Sequence, residues 1–209
     1  MKVIVFGATG TVGKLAVEQL LEAGHEVTAF ARHPQKLALD HTRLRLIAGD
    51  ALSANDVMAA MPGHEAVVVT LGAGMSRKSA IRSEGTMNII NAMQAHGIRR
   101  LVCQSTLGTG ETWRNLNFFW KRIMFGLLLR PVFLDHVLQE KLVRASGLDW
   151  TIVRPSAFVD GPATGGFREN FGPAVRDLSL KISRADVASF LVRQLDDWRY
   201  AGRAVSISN

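Results

Sequence analysis

Three glycines carry the first chemistry in this chain. Gly7, Gly10 and Gly13 lie in the run Gly7-Ala8-Thr9-Gly10-Thr11-Val12-Gly13, directly after a short apolar segment. A glycine turn lets backbone N–H groups close on a diphosphate, and the N-terminus of a following helix adds positive potential at the same point. Thr9, Thr11 and Val12 complete that loop. Gly13 falls where the helix must press against the strand. The strand–turn–helix setting, more than the spacing itself, gives the pattern its weight.

The second apolar run ends in Phe30-Ala31-Arg32-His33-Pro34-Gln35-Lys36. An acid at this place would hold a ribose 2′-hydroxyl, whereas a cation accommodates a 2′-phosphate. There is no acid here, and Arg32 and Lys36 are both cationic. A guanidinium can fork onto phosphate oxygens. The expected cofactor is therefore NADP(H). Gly49-Asp50-Ala51 follows the third run and is placed to reach the adenine; Asp50 reads equally well as a simple turn residue. Leu71-Gly72-Ala73-Gly74 follows the fourth run and suits close approach of the nicotinamide ribose.

Few residues remain for catalysis. Ser105, at the end of the fifth run, could orient an acceptor by a hydrogen bond. His136 could donate a proton if it faces the pocket, since an ordinary imidazole titrates in the right range. Cys103 falls on an apolar run and reads as an inert core thiol. The histidines are dispersed and there is one cysteine, so no metal site is expected. Trp113, Phe118, Phe119, Trp120 and Phe125 could form an aromatic wall against a flat acceptor, or a self-packed lid.

These residues need a scaffold, and the hydrophobic periodicity supplies one. Residues 3–6, 26–31, 44–48, 66–71, 100–105, 150–153 and 204–207 read as strands. Residues 11–23, 79–96, 133–146 and a segment from Ser183 through Leu195 read as helices. Ser53 and Asp56 suggest a capping box opening a further helix that ends near Met61. Residues 107–130 read as irregular. Strand–helix alternation of this kind predicts an α/β domain: one doubly wound, Rossmann-type parallel sheet with helices on both faces. All of residues 1–209 fall in a single NAD(P)-binding domain, with residues 107–130 and 155–182 building the pocket.

Composition excludes several classes. The chain has 209 residues, 47% hydrophobic and 21% charged, which suits one globular core. The net charge of +7 is scattered, with no run of five like charges, so nucleic acid is not an expected partner. No window is apolar enough for a membrane span, and stable membrane insertion is not expected. Residues 3–6 are too short for a leader, and one cysteine suits a reducing compartment, so the expectation is a cytoplasmic monomer or homodimer.

The chain resembles the atypical short-chain dehydrogenase/reductases, in particular the NAD(P)H-binding group that includes biliverdin/flavin reductase. The likeness rests on Val5-Phe6-Gly7-Ala8-Thr9-Gly10, Arg32 with Lys36, Gly49-Asp50, Ser83-Glu84-Gly85 with Asn88, and Ala95-His96-Gly97. It continues through Asp135-His136, the run from Ser146 to Pro155, and Ser183-Arg184-Ala185-Asp186. It implies that Ser105 lies in the active-site region and that Pro155, Ser156, Ala157 and Phe158 line the nicotinamide pocket. The group's reductase has a histidine where this chain has Ala157. The wider superfamily's proton-donating Tyr-x-x-x-Lys is missing: the one tyrosine is Tyr200, with Ala204 four residues on. The resemblance therefore implies a reductase whose small-molecule acceptor takes its proton from solvent (a flavin, a quinone or a tetrapyrrole-like compound). The alternative is a non-catalytic NADP(H)-binding sensor.

Overall fold

The structure is a computed structural model that describes residues 1–74 and 80–209. Its centre is an eight-stranded sheet. The first six strands are β1 (Lys2–Phe6), β2 (Glu26–Ala31), β3 (Leu44–Ala48), β4 (Ala66–Val69), β5 (Arg100–Gln104) and β6 (Asp149–Pro155). After them come β7 (Ala157–Val159), β8 (Arg168–Glu169), β9 (Lys181–Ser183) and β10 (Arg203–Ser208). The order across the sheet is β3-β2-β1-β4-β5-β6-β10-β8. All pairings are parallel except β10 with β8. Strands β7 and β9 form a separate parallel pair.

Strand β1 is Val3-Ile4-Val5-Phe6 at full burial because both its faces are covered. Val3 and Val5 point towards α1 (Thr11–Glu22) and α5 (Arg184–Arg193). Ile4 and Phe6 point the other way, towards α2 (Ala54–Ala60) and α3 (Ile81–Ala95), with α4 (Arg130–Ala145) packed beside α3. A parallel strand buried on two faces reads as a continuous apolar run, as this one does. Each fully buried Val, Ile or Phe contributes about 1.5–3 kcal/mol. The sheet order reverses between β1 and β4, and ligands of open parallel sheets sit at such a crevice, beyond the carboxyl ends of the strands.

Differences from the sequence reading are local. The helix expected over residues 79–96 runs as α3 from Ile81, and residue 79 lies outside the described residues. Helix α4 starts three residues before residue 133, with Pro131 in its first turn, where proline's missing N–H costs nothing. Ser53 does cap α2, its Oγ accepting from Asp56 N–H at 3.3 Å. The reciprocal half of the box goes elsewhere: Asp56 accepts from Asp50 N–H at 2.9 Å, and Ser53 N–H donates to Asp50 O. Residues 107–130 are not irregular. They hold a 3-10 helix, Gly110–Asn115, and a π-helix, Phe119–Leu128. Among the described residues, no helix is long and apolar enough to cross a membrane.

Candidate functional site

The glycine loop is shaped by contact. Gly7 has φ +84°, and a Cβ there would lie 2.6 Å from the Thr70 carbonyl oxygen. A Cβ on Gly13 would lie 2.2 Å from Gly7 O. Helix α1 therefore starts as close to β1 and β4 as backbone allows. Gly10 caps it without a side chain, and no acid occupies its first turn. The first N–H groups of a helix have no partner within it, so this end presents bare donors. Thr70 was not foreseen: it is buried, and its Oγ1 donates to Phe6 O at 3.1 Å, tying β4 to the loop.

A cavity of about 560 Å³ opens above this loop. Gly7, Thr9, Gly10, Thr11 and Val12 form its floor, with Arg32, Asp50 and Ala51 at one end and Leu71 and Gly72 along the side. Ser105, His136 and the run Pro155-Ser156-Ala157-Phe158 line the rest. Gly13, Lys36 and Ala73 are not on the wall. Gly13 acts beneath it, by packing. Lys36 is exposed on the 3-10 helix Pro34–Leu37. Asp50 serves its turn, accepting Leu52 N–H at 3.0 Å, and also faces the cavity.

Ser105 stands over a buried ion pair. Its hydroxyl donates to Glu140 Oε1 at 2.7 Å. Arg154 forks onto the same carboxylate, Nε to Oε1 at 2.9 Å and Nη2 to Oε2 at 2.7 Å, and Thr109 adds a further donor. Burial alone would raise the Glu140 pKa, but the Arg154 fork and the two hydroxyls outweigh it and hold the carboxyl below its usual range. Glu140 and Arg154 come from α4 and β6, and no local pattern announced the pair. Ser105 thus has its proton engaged, which leaves its oxygen as an acceptor towards the cavity.

His136 is buried, and its pKa falls to about 4, chiefly through desolvation and then through the charge of Arg82. Its Nδ1 lies 3.0 Å from Gln139 Oε1, while Gln139 Nε2 donates to Thr86 Oγ1. Gln139 thus offers its carbonyl, so the ring carries its proton on Nδ1 and Nε2 is an acceptor. At neutral pH this is not the proton donor expected of the position. Burial overrides the ordinary imidazole value on which the expectation rested.

Of the aromatic segment, Trp120 and Phe125 reach the cavity. Phe125 stacks on Phe133 with centroids 4.8 Å apart, and Trp113 also packs on Phe133. Phe118 is 73% exposed and Phe119 49%. The wall is therefore narrower than the five residues expected, with Leu116, Leu129 and Val132 completing it. Cys103 is buried, and burial pushes its thiol pKa up, as expected of an inert core residue. Tyr200 donates to Glu169 Oε1 at 3.1 Å and does not line the cavity.

A nicotinamide dinucleotide suits these residues. The cradle at Gly7 and Gly13 has no room for a side chain, and α1 offers free N–H groups. Farther along, Gln104 Oε1 and Ser156 Oγ are buried on the cavity wall without a hydrogen-bond partner among the described residues. The N–H groups of Ser156 and Ala157 are already given to Ile207 O and Leu180 O. Buried polar atoms in that state cost about 1–3 kcal/mol each until a ligand pairs them.

Comparison with known proteins agrees with this geometry. The chain is 28% identical over 222 residues to an uncharacterized sugar epimerase of Bacillus subtilis, covering 100% of this chain and 94% of that protein. The structure superimposes on the anaerobilin reductase ChuY of Escherichia coli O157:H7 with a TM-score of 0.81 and 26% identity, covering 99% and 96% of the two chains. A short-chain dehydrogenase/reductase of Veillonella parvula, solved in complex with NADP, shares the fold at a TM-score of 0.83 and 18% identity, over 100% and 94% of the chains. The match to a family described as NAD(P)H-binding spans residues 7–198, from the first loop glycine to Trp198. This chain belongs to that NAD(P)H-binding family.

Proposed function

We propose that the protein is an NADPH-dependent reductase of a flat, conjugated acceptor such as a flavin, a quinone or a tetrapyrrole-like compound. One observation carries the reading. A single cavity joins the glycine loop and Arg32 to an apolar wall that includes Trp120 and Phe125. Bound NADPH would supply a hydride, two electrons with one hydrogen nucleus. Arg32 and the α1 N-terminus would hold its phosphates, and Ser156 and Gln104 would offer partners at the other end. Trp120 and Phe125 would align the acceptor, so that the protein supplies chiefly proximity and orientation.

The proton comes from water in this reading. Ser105 has given its hydrogen to Glu140, and the Nδ1 proton of neutral His136 goes to Gln139. Flavins and quinones accept a hydride and collect the proton from solvent, so they suit such a site. The same two commitments favour a second reading, an NADP(H) sensor that does no chemistry. The test is a spectrophotometric one: the chain with NADPH or NADH and a panel of flavins and quinones. Loss of the reduced-nicotinamide band with at least one acceptor, faster with NADPH, supports the reductase. Tight NADP(H) binding with no oxidation across the panel leaves the sensor standing.

A further inference from the structure

Arg82 is a largely buried cation whose guanidinium, among the described residues, has an ion-pair partner in Asp135 and leaves two nitrogens without a hydrogen bond. It sits in the first turn of α3, lines the cavity, and its side chain is 11% exposed. Nε and Nη1 are fully buried and make no hydrogen bond. Nη2 is the nearest atom to the open face of Gly72, 3.9 Å from where a Cβ would stand. Asp135 is the one acid close by, with Nη1 at 3.6 Å, beyond hydrogen-bond distance. That carboxylate is already engaged. Oδ1 takes Ser83 N–H at 2.9 Å and Ser83 Oγ at 2.6 Å, and Oδ2 takes the Arg82 backbone N–H at 3.1 Å.

A guanidinium brings five donors in a planar fork that matches phosphate and carboxylate oxygens. Asp135 balances part of the charge, but leaving such a group buried with its hydrogen-bond donors unmet is still costly, and an anionic ligand removes that cost. Resting on the reductase reading, we propose that the acceptor carries an anionic group, a phosphate, carboxylate or sulfonate, and that Arg82 receives it. The dinucleotide could supply anionic oxygens too, but the glycine loop and Arg32 already provide for its phosphates. On the wall, the charge of Arg82 acts on His136 of α4 and its Nη2 approaches Gly72, so in this reading it stands where the nicotinamide end of the dinucleotide meets the acceptor.

FMN and riboflavin share a ring system and differ by one phosphate, so they isolate this contact. Their dissociation constants are measured by flavin fluorescence on protein saturated with NADP⁺, where no turnover occurs. The wild type is expected to favour FMN by about tenfold or more. Arg82→Gln should erase that preference while leaving riboflavin affinity unchanged, and Arg82→Lys should restore part of it. Circular dichroism of each variant shows that it folds. Equal affinities in the wild type, or a preference that survives Arg82→Gln, would overturn the proposal. So would an Arg82→Gln protein that loses NADP⁺ and keeps its flavin preference, since the guanidinium would then belong to the dinucleotide. An Arg82-dependent preference without any NADPH oxidation would sink the reductase reading and keep this one.

Discussion

At the scale of single residues, two cations, one beneath the cavity and one on its wall, have opposite circumstances. Arg154 is 1% exposed and held by the Glu140 carboxylate, with Glu111 as a further partner at 2.7 Å. Removing one member of a buried pair leaves the other uncompensated, so Glu140→Gln should lower stability by about 3–5 kcal/mol in chemical denaturation. Ser105→Ala takes away one of several donors and should lower it by about 1 kcal/mol. Arg32, by contrast, is exposed and lines the cavity beside Phe30 and Ala31 at the end of β2. Arg32→Glu should weaken NADP⁺ binding about a hundredfold or more in calorimetry and leave NAD⁺ much less affected; unchanged NADP⁺ affinity would remove the 2′-phosphate role. The shape of the glycine loop and the place of Arg32 beside the cavity were legible in the sequence because each is set by its own backbone or its position at a strand end. Thr70, Arg82, Glu140 and Arg154 were not, because their meaning lies in partners brought from other elements.

At the scale of elements, single residues decide how closely α1 meets the sheet and how the segment after β6 turns at residues 164–165. Gly13→Ala would drive a methyl into Gly7 O, so α1 must shift away from the sheet. Loss of both dinucleotide affinity and several degrees of melting temperature is expected, read by calorimetry and thermal unfolding. Asp186 in α5 anchors the turn at residues 164–165, accepting from Thr164 N–H at 2.7 Å and Gly165 N–H at 2.8 Å. Desolvation raises its pKa, but the hydrogen bonds from Gly165, Ser183 and Thr164 prevail and set it below the usual carboxylate value. Its contribution is thus complete above the unfolded-state pKa and is lost as pH falls through the lower folded one. Asp186→Asn should expose the segment around residues 161–166 to limited proteolysis near neutral pH while the sheet stays intact. The strands and long helices were readable from period and capping. The π-helix was not, because its wider turn breaks the 3.6-residue spacing that identifies a helix. Strands β7, β8 and β9 were too short to show any alternation.

For the molecule as a whole, the crevice between β1 and β4 decides where a ligand lies, and the lining of that crevice sets an acid sensitivity. His136 folds with a pKa of about 4, against an ordinary 6.5, because burial opposes its charge. Between those values the unfolded chain binds the extra proton. Stability therefore falls as pH drops from about 6.5 to about 4, by a few kcal/mol, and this contribution stays flat above that window. Denaturant titrations of the wild type and of His136→Gln across that range should converge at the acid end. Parallel curves would show that the ring is not the titrating group.

Helices α1 and α3 both begin near the cavity, and the chain treats their ends differently. Asp135 supplies negative charge where α3 starts, so that end is electrically quenched from within. Helix α1 begins on glycine and carries no such neutraliser. The pocket thus has a polarity built into its backbone: of these two helix ends, one is left to attract a diphosphate.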